Sequence, residues 1–165
     1  NFAVEGGFAA VVPAGTGILI MATRDVEVFD NTIEHNNVVG LGVISFVAVS
    51  ALTGIPLDDP NYEPYFGRVY VHDNQFSKSN DVNTGPGQTD IGMLLINSFG
   101  GNPIPDIVVD GFFKEGTGDN GGLCLHNNTG AGFVNLDIPN GFASPSFTAT
   151  PHLCEGNILD PVDLQ

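Results

Sequence analysis

Four stretches of the chain share one frame, and that frame limits the fold more than any other feature. Val26-Glu27-Val28-Phe29-Asp30-Asn31-Thr32-Ile33 alternates β-branched with outward-reading residues, then reaches an Asn and an apolar residue. Val69-Tyr70-Val71-His72-Asp73-Asn74-Gln75-Phe76 repeats it, and so does Leu123-Cys124-Leu125-His126-Asn127-Asn128. Ile107-Val108-Val109-Asp110-Gly111-Phe112 keeps the frame with Gly-Phe where Asn would stand. Alternation marks a half-buried strand because successive side chains point to opposite faces. The Asn marks a bend, since its side chain bonds local backbone and tolerates turn geometry. A recurring strand-and-turn unit predicts a repeat architecture in which neighbouring units bury a continuous core.

The remaining segments are read around that unit. Thr16–Met21 predicts a strand, and Gly40–Val47 predicts the second strand of the same coil. Ala48–Gly67 reads as a long excursion, because its proline-rich part cannot be a central strand. Ile91–Ile96 is expected as a Gly-bearing strand, and Phe133–Leu136 as part of the last coil. No helical periodicity longer than about two turns is found. Phe2 and Phe8, in an expected loop to Gly15, need cover; Ser77–Thr89 reads as a polar loop. Residues 137–165 lose the frame and end in the acidic run Asp160–Asp163. The fold expected is all-β: a right-handed single-stranded parallel β-helix of three to four coils over 1–136, with long side loops and a C-terminal tail packing on or capping it. The unit spacings from Val26 to Val69, Ile107 and Leu123 are 43, 38 and 16 residues, the last being short for a complete coil.

Charge excludes some partners. Nineteen acidic residues against four Lys plus Arg give a formal net charge of -15. Nucleic acids and anionic membranes are polyanions that need basic residues to neutralise them, so neither is expected as a partner. No apolar run reaches the length of a membrane span. The two cysteines allow one disulfide, Cys124–Cys154, if the outward Cys124 is reached by the tail; two free thiols are the alternative. No Cys/His spacing suits zinc.

Candidate chemistry gathers on the outward column of the stacked frames, Phe29, His72, Asp110 and His126. With adjacent parallel strands about 4.8 Å apart, His72 and Asp110 would be neighbours and His126 one step further. Such a His–carboxylate pair suits general base catalysis on a sugar ring or a divalent metal; ordinary wet-face polarity is the competing reading. Asp58, Asp59, Asn61 and Glu63 offer oxygen ligands for Ca²⁺ in a loop without EF-hand spacing, where an acidic turn is the simpler reading. Tyr62 and Tyr65 on that loop suit stacking on sugar or packing on the side of the fold. Asn31, Asn74 and Asn128 read as an inward ladder of side-chain hydrogen bonds. The few scattered cations, Arg24, Arg68, Lys78 and Lys114, argue against a pectate-type lyase site.

Taken together, Pro13–Met21, the Val26–Ile33 frame, Asp59–Tyr65, His72–Phe76, Pro105–Gly111 and Phe133–Asp137 resemble the C-terminal half of bacterial exported parallel β-helix domain proteins of the pectate-lyase-like superfamily. The resemblance implies further N-terminal coils, or another chain, covering an open end, and a secreted or periplasmic setting. It imports no reaction, because fold is not function. The function expected is a non-catalytic scaffold with a rigid binding or assembly surface, with polysaccharide as the ligand class. The alternative is a polysaccharide-modifying lyase, epimerase or hydrolase that needs no cofactor or uses Ca²⁺.

Overall fold

The computed structural model describes residues 8–77, 88–156 and 159. Phe2, the side chain of Phe8, most of the Ser77–Thr89 loop with Lys78, and Asp160–Asp163 lie outside that description. The chain is mostly β, with few helices. Its strands are β1 (Thr16–Met21), β2 (Arg24–Phe29), β3 (Thr32–Glu34), β4 (Val39–Ile44), β5 (Gly67–His72), β6 (Gln75–Ser77), β7 (Ile107–Val109), β8 (Leu123–His126) and β9 (Phe133–Asn135). They form three sheets, ordered β1-β4-β7-β9, β2-β5-β8 and β3-β6. Every strand pairing in them is parallel. The chain visits first, second and third sheet in turn and then starts again, and a bridge from Gln75 to Thr129 continues the third.

The bend between second and third sheets has a local cause that repeats. Asp30, Asp73 and Asn127 stand in register at φ 54°, 51° and 47°. Asp and Asn enter this left-handed region more readily than other side chains. The next residue is always Asn. Asn31 Nδ2 donates to Asn74 Oδ1 at 2.9 Å, and Asn74 Nδ2 donates to Asn128 Oδ1 at 3.0 Å. The backbone amides of Asn31 and Asn74 donate to the same two oxygens. The expected ladder is present.

Inward residues of the three sheets meet in one core that includes Leu41, Val43, Val69, Val71, Ile107, Val109, Leu123 and Phe133. A second apolar cluster lies on the other face of the first sheet, where Val108 and Val134 pack with Ala48, Leu95, Ile96 and Leu136. Both faces of β4 are therefore covered, and Val39–Val43 is buried without alternation.

Two helices correct the sequence reading. β4 stops at Ile44, and α1 (Phe46–Thr53) begins where strand was expected to continue and a loop to follow. Ser45 caps it by accepting from the Ala48 amide at 3.0 Å, and Gly54 ends it at φ 73°. Ile91–Ile96, expected as a strand, lies in α2 (Asp90–Ser98). Thr89 caps α2 through the Gly92 amide at 3.1 Å, and Asp90 in the first turn suits the helix dipole.

The Ile107 unit is also placed differently. It was expected in the column of Val26, Val69 and Leu123, but β7 pairs with β4 and β9. Gly111, at φ 91°, takes the left-handed position of Asp30, Asp73 and Asn127, but Phe112 stands where those units have the ladder Asn. The 16-residue spacing separates two sheets of one pass rather than two levels of one sheet. The true step from Asn74 to Asn128 is 54 residues.

The tail runs along the last level. Ser146 bridges Asn135 antiparallel and Leu153 bridges Leu125 in parallel. The expected Cys124–Cys154 disulfide is formed, with Cα atoms 5.5 Å apart. Buried His152 sits 5.0 Å from the Phe133 ring, and burial pushes its pKa down against the opposing effect of the Asn120 carbonyl. Reduction of the disulfide should destabilise the chain by about 3 kcal/mol, since the linked cysteines are 30 residues apart. The shift in denaturation midpoint between oxidised and reduced protein measures it.

Candidate functional site

The outer face of the β2-β5-β8 sheet carries the expected aromatic and histidine column. Inward Val26, Val28, Val69 and Val71 hold these strands to the core, and alternation turns the residues between them outward. Phe29, His72 and His126 are in register, with Glu27, Tyr70 and Cys124 as the neighbouring column. Phe29 stacks on His72 with ring centroids 5.3 Å apart and planes 3° apart. Tyr70 stacks on the same imidazole at 4.0 Å.

His72 is held at both nitrogens. Nδ1 lies 2.7 Å from Asp73 Oδ2 and Nε2 lies 3.1 Å from Glu27 Oε1. Partial burial acts to lower its pKa, but hydrogen bonds and charge from Asp73 and Glu27 together outweigh it and raise the value. Asp73 is correspondingly lowered, first by His72 and then by the Asn127 amide. Desolvation, followed by the charges of Asp73 and Glu27, raises the Tyr70 phenol. A raised imidazole pKa stabilises the fold below the ordinary histidine value of about 6.5, and that contribution is lost as pH rises through the folded value. Glu27→Gln and Asp73→Asn should each lower the His72 pKa, as read by its imidazole NMR titration.

Asp110 is not on this face. It follows β7 in the first sheet and is fully buried. Its Oδ2 accepts from the Ser45 amide and hydroxyl, each at 2.6 Å, and its Oδ1 from the Phe112 amide at 2.9 Å. Burial raises its pKa to about 6 against the lowering effect of those bonds. The expected His72–Asp110 pair therefore does not exist, because the two residues belong to different sheets. His126 does stand beside His72, with Nδ1 3.1 Å from the Cys154 carbonyl oxygen. Glu27 and Asp73 were missed as the partners of His72. The frame already put Glu27 one column away and Asp73 next in sequence.

The acidic loop is internally tied. Asp59 Oδ1 accepts from the Asn61 amide at 2.9 Å, and Glu63 pairs with Lys114, which lowers its pKa. Asp58 is exposed beside them. Among the described residues no group of three or more His, Cys, Asp or Glu comes together as a metal site. Tyr62 is 41% exposed and meets Phe46 edge-on, while Tyr65 is half-buried. Arg68 pairs with Asp25 across the second sheet. An apolar cavity of about 80 Å³ lies between the first sheet and the helices, lined by residues that include Gly42, Leu52, Ile91 and Leu95 together with Thr16.

Searches against family models, curated proteins and solved structures found no match. Among the described residues no helix is long and apolar enough to cross a membrane. The disulfide fits an oxidising compartment.

Proposed function

We propose that the chain is a right-handed parallel β-helix of the pectate-lyase-like kind, serving in a secreted or periplasmic setting as a non-catalytic scaffold with an assembly surface at one end. The cyclic order of parallel strands through three sheets supports the β-helix reading. A binding or structural role is favoured over catalysis because both nitrogens of His72 are engaged by carboxylates, and Asp110 lies in another sheet as a buried anchor.

The observation that carries the assembly reading is the difference between the two ends of the stack. At the last level the tail bridges Asn135 and Leu125, and Phe133 and Leu125 are buried. Among the described residues β1, β2 and β3 are edge strands at the first level. There Ile18 and Val26 are only half-buried, whereas Leu41 and Val69, their partners one level in, are fully buried. Amide hydrogen exchange on the dilute chain tests this. Val26–Phe29 should exchange at least tenfold faster than Val69–His72, and equal protection of the two strands would refute the open end.

A further inference from the structure

The open end carries a recognition code that goes further than an exposed sheet edge. We infer that the β1-β2-β3 end docks a polypeptide segment that adds one more parallel level and places an Asn over Asn31. This rests on the β-helix reading proposed above and specifies the partner.

The code is written in the ladder. Asn74 Oδ1 accepts from the backbone and side-chain amides of Asn31, and Asn128 Oδ1 accepts from those of Asn74. Each Oδ1 thus faces the preceding level and takes two donors from it. Each Nδ2 also reaches back to a carbonyl of that level, Asn74 to Val28 at 2.9 Å and Asn128 to Val71 at 2.8 Å. Asn31 repeats the residue but lacks both partners. Its Nδ2 donates only to Phe29 O and Asn74 Oδ1, and its Oδ1 accepts from no described residue. An incoming level with Asn at this position supplies two donors to Oδ1 and a carbonyl to Nδ2.

Two independent features lie at the same end. Phe29 is 49% exposed: its ring stacks on His72 of the next level and it belongs to an edge strand. Val26, continuing the core column of Val69 and Leu123, is half-buried where they are fully buried. The incoming strand therefore needs an apolar inward residue over Val26 and a flat or apolar outward residue over Phe29. An unpaired edge is a template for strand addition, and alternate side chains set its specificity.

A second copy of this chain fits less well. Its last level is covered by the tail, so copies cannot stack head to tail. Two first levels related by a two-fold axis would pair β2 strands antiparallel, bringing the Arg24 end rather than an Asn opposite Asn31.

The test uses the full 165-residue chain and a synthetic peptide copying Thr23–Glu34. The NMR shifts expected on titration to millimolar peptide are confined to β1–β3 and the Asn31 side-chain amide. A peptide carrying Asn31→Asp, which removes the side-chain donors, should bind at least fivefold more weakly. A spin label at the peptide N-terminus should broaden Arg24 more than Phe29, as parallel pairing requires. Absence of shifts, equal binding by the Asp peptide, or antiparallel broadening would each overturn the inference. So would concentration-dependent dimerisation through β2 without peptide, which would make a second copy the occupant. Fast exchange of Val26–Phe29 with no peptide binding would leave the open end standing and remove only the Asn-coded partner.

Discussion

Asn74→Ala should be among the most damaging single substitutions at any polar side chain, costing about 3–5 kcal/mol in denaturant unfolding. Asn74 is 1% exposed and sits in the middle of the ladder. Its two amide hydrogens serve Val28 O, His72 O and Asn128 Oδ1, and its own oxygen takes two donors from Asn31. Alanine leaves up to three of these groups, Val28 O, His72 O and the Asn31 amide, without this partner, since Asn128 Oδ1 keeps the residue 74 amide and Asn31 Nδ2 keeps Phe29 O. Each buried donor or acceptor costs about 1–3 kcal/mol when unmade, with some relief from water entering the gap. Asp is no substitute: it accepts from Asn31 but has no hydrogen for the two carbonyls, and it buries a charge. Asn31→Ala, at the exposed end, should cost about 1 kcal/mol or less, because solvent replaces what is lost. A larger loss at Asn31 than at Asn74 would mean that the ladder is not what holds the bend. The comparison is best made at fixed pH and in oxidised protein, so that neither His72 nor the disulfide contributes to the difference.

Legibility in the sequence followed from what kind of signal each element carries. The Val26, Val69 and Leu123 units were readable because period-two alternation and a fixed Asn are local signals that repeat, and registers Phe29–His72–His126 and Asn31–Asn74–Asn128 follow directly. The Cys124–Cys154 link was readable for the same reason, Cys124 being outward in that frame. The helices were not. Gly92-Met93-Leu94-Leu95-Ile96 is short and apolar, and periodicity cannot distinguish a buried strand from a two-turn helix of that kind. The deciding signals were the caps, Ser45 before Phe46 and Thr89 before Asp90, each a hydroxyl accepting from the amide three residues on. The placement of Asp110 failed on a single residue. Ile107–Asp110 has the alternation of the other units, yet Phe112 stands where Asn would continue the ladder. Treating that Phe as a tolerated exception put Asp110 beside His72, whereas it marks a strand of another sheet.

Asp110→Ala should be about as costly as the ladder mutation at low pH and much milder at high pH. The carboxylate joins the end of β7 to the start of α1 by accepting from Ser45 N, Ser45 Oγ and Phe112 N. Losing it strands three donors, a cost of about 4 kcal/mol when Asp110 is protonated and its burial carries no charge penalty. Its pKa is raised from the ordinary 3.8 to about 6, chiefly by desolvation, so the folded state holds a proton there that the unfolded state has released. Between those values the native state binds more protons, and stability falls as pH rises. The contribution is complete below the unfolded value and is reduced by about 3 kcal/mol once pH has passed the folded one, since each tenfold change in proton affinity between the two states is worth roughly 1.4 kcal/mol. The stability gap between native chain and Asp110→Ala should therefore narrow from about 4 kcal/mol near pH 4 to about 1 kcal/mol at pH 8. His72 imposes a loss over a higher range, since its raised pKa removes stability above the ordinary histidine value. Both variants retain His72, however, so its effect cancels in the difference. A gap that widened with rising pH would mean the Asp110 carboxylate is better solvated folded than unfolded, and its role as a buried anchor for α1 would fall.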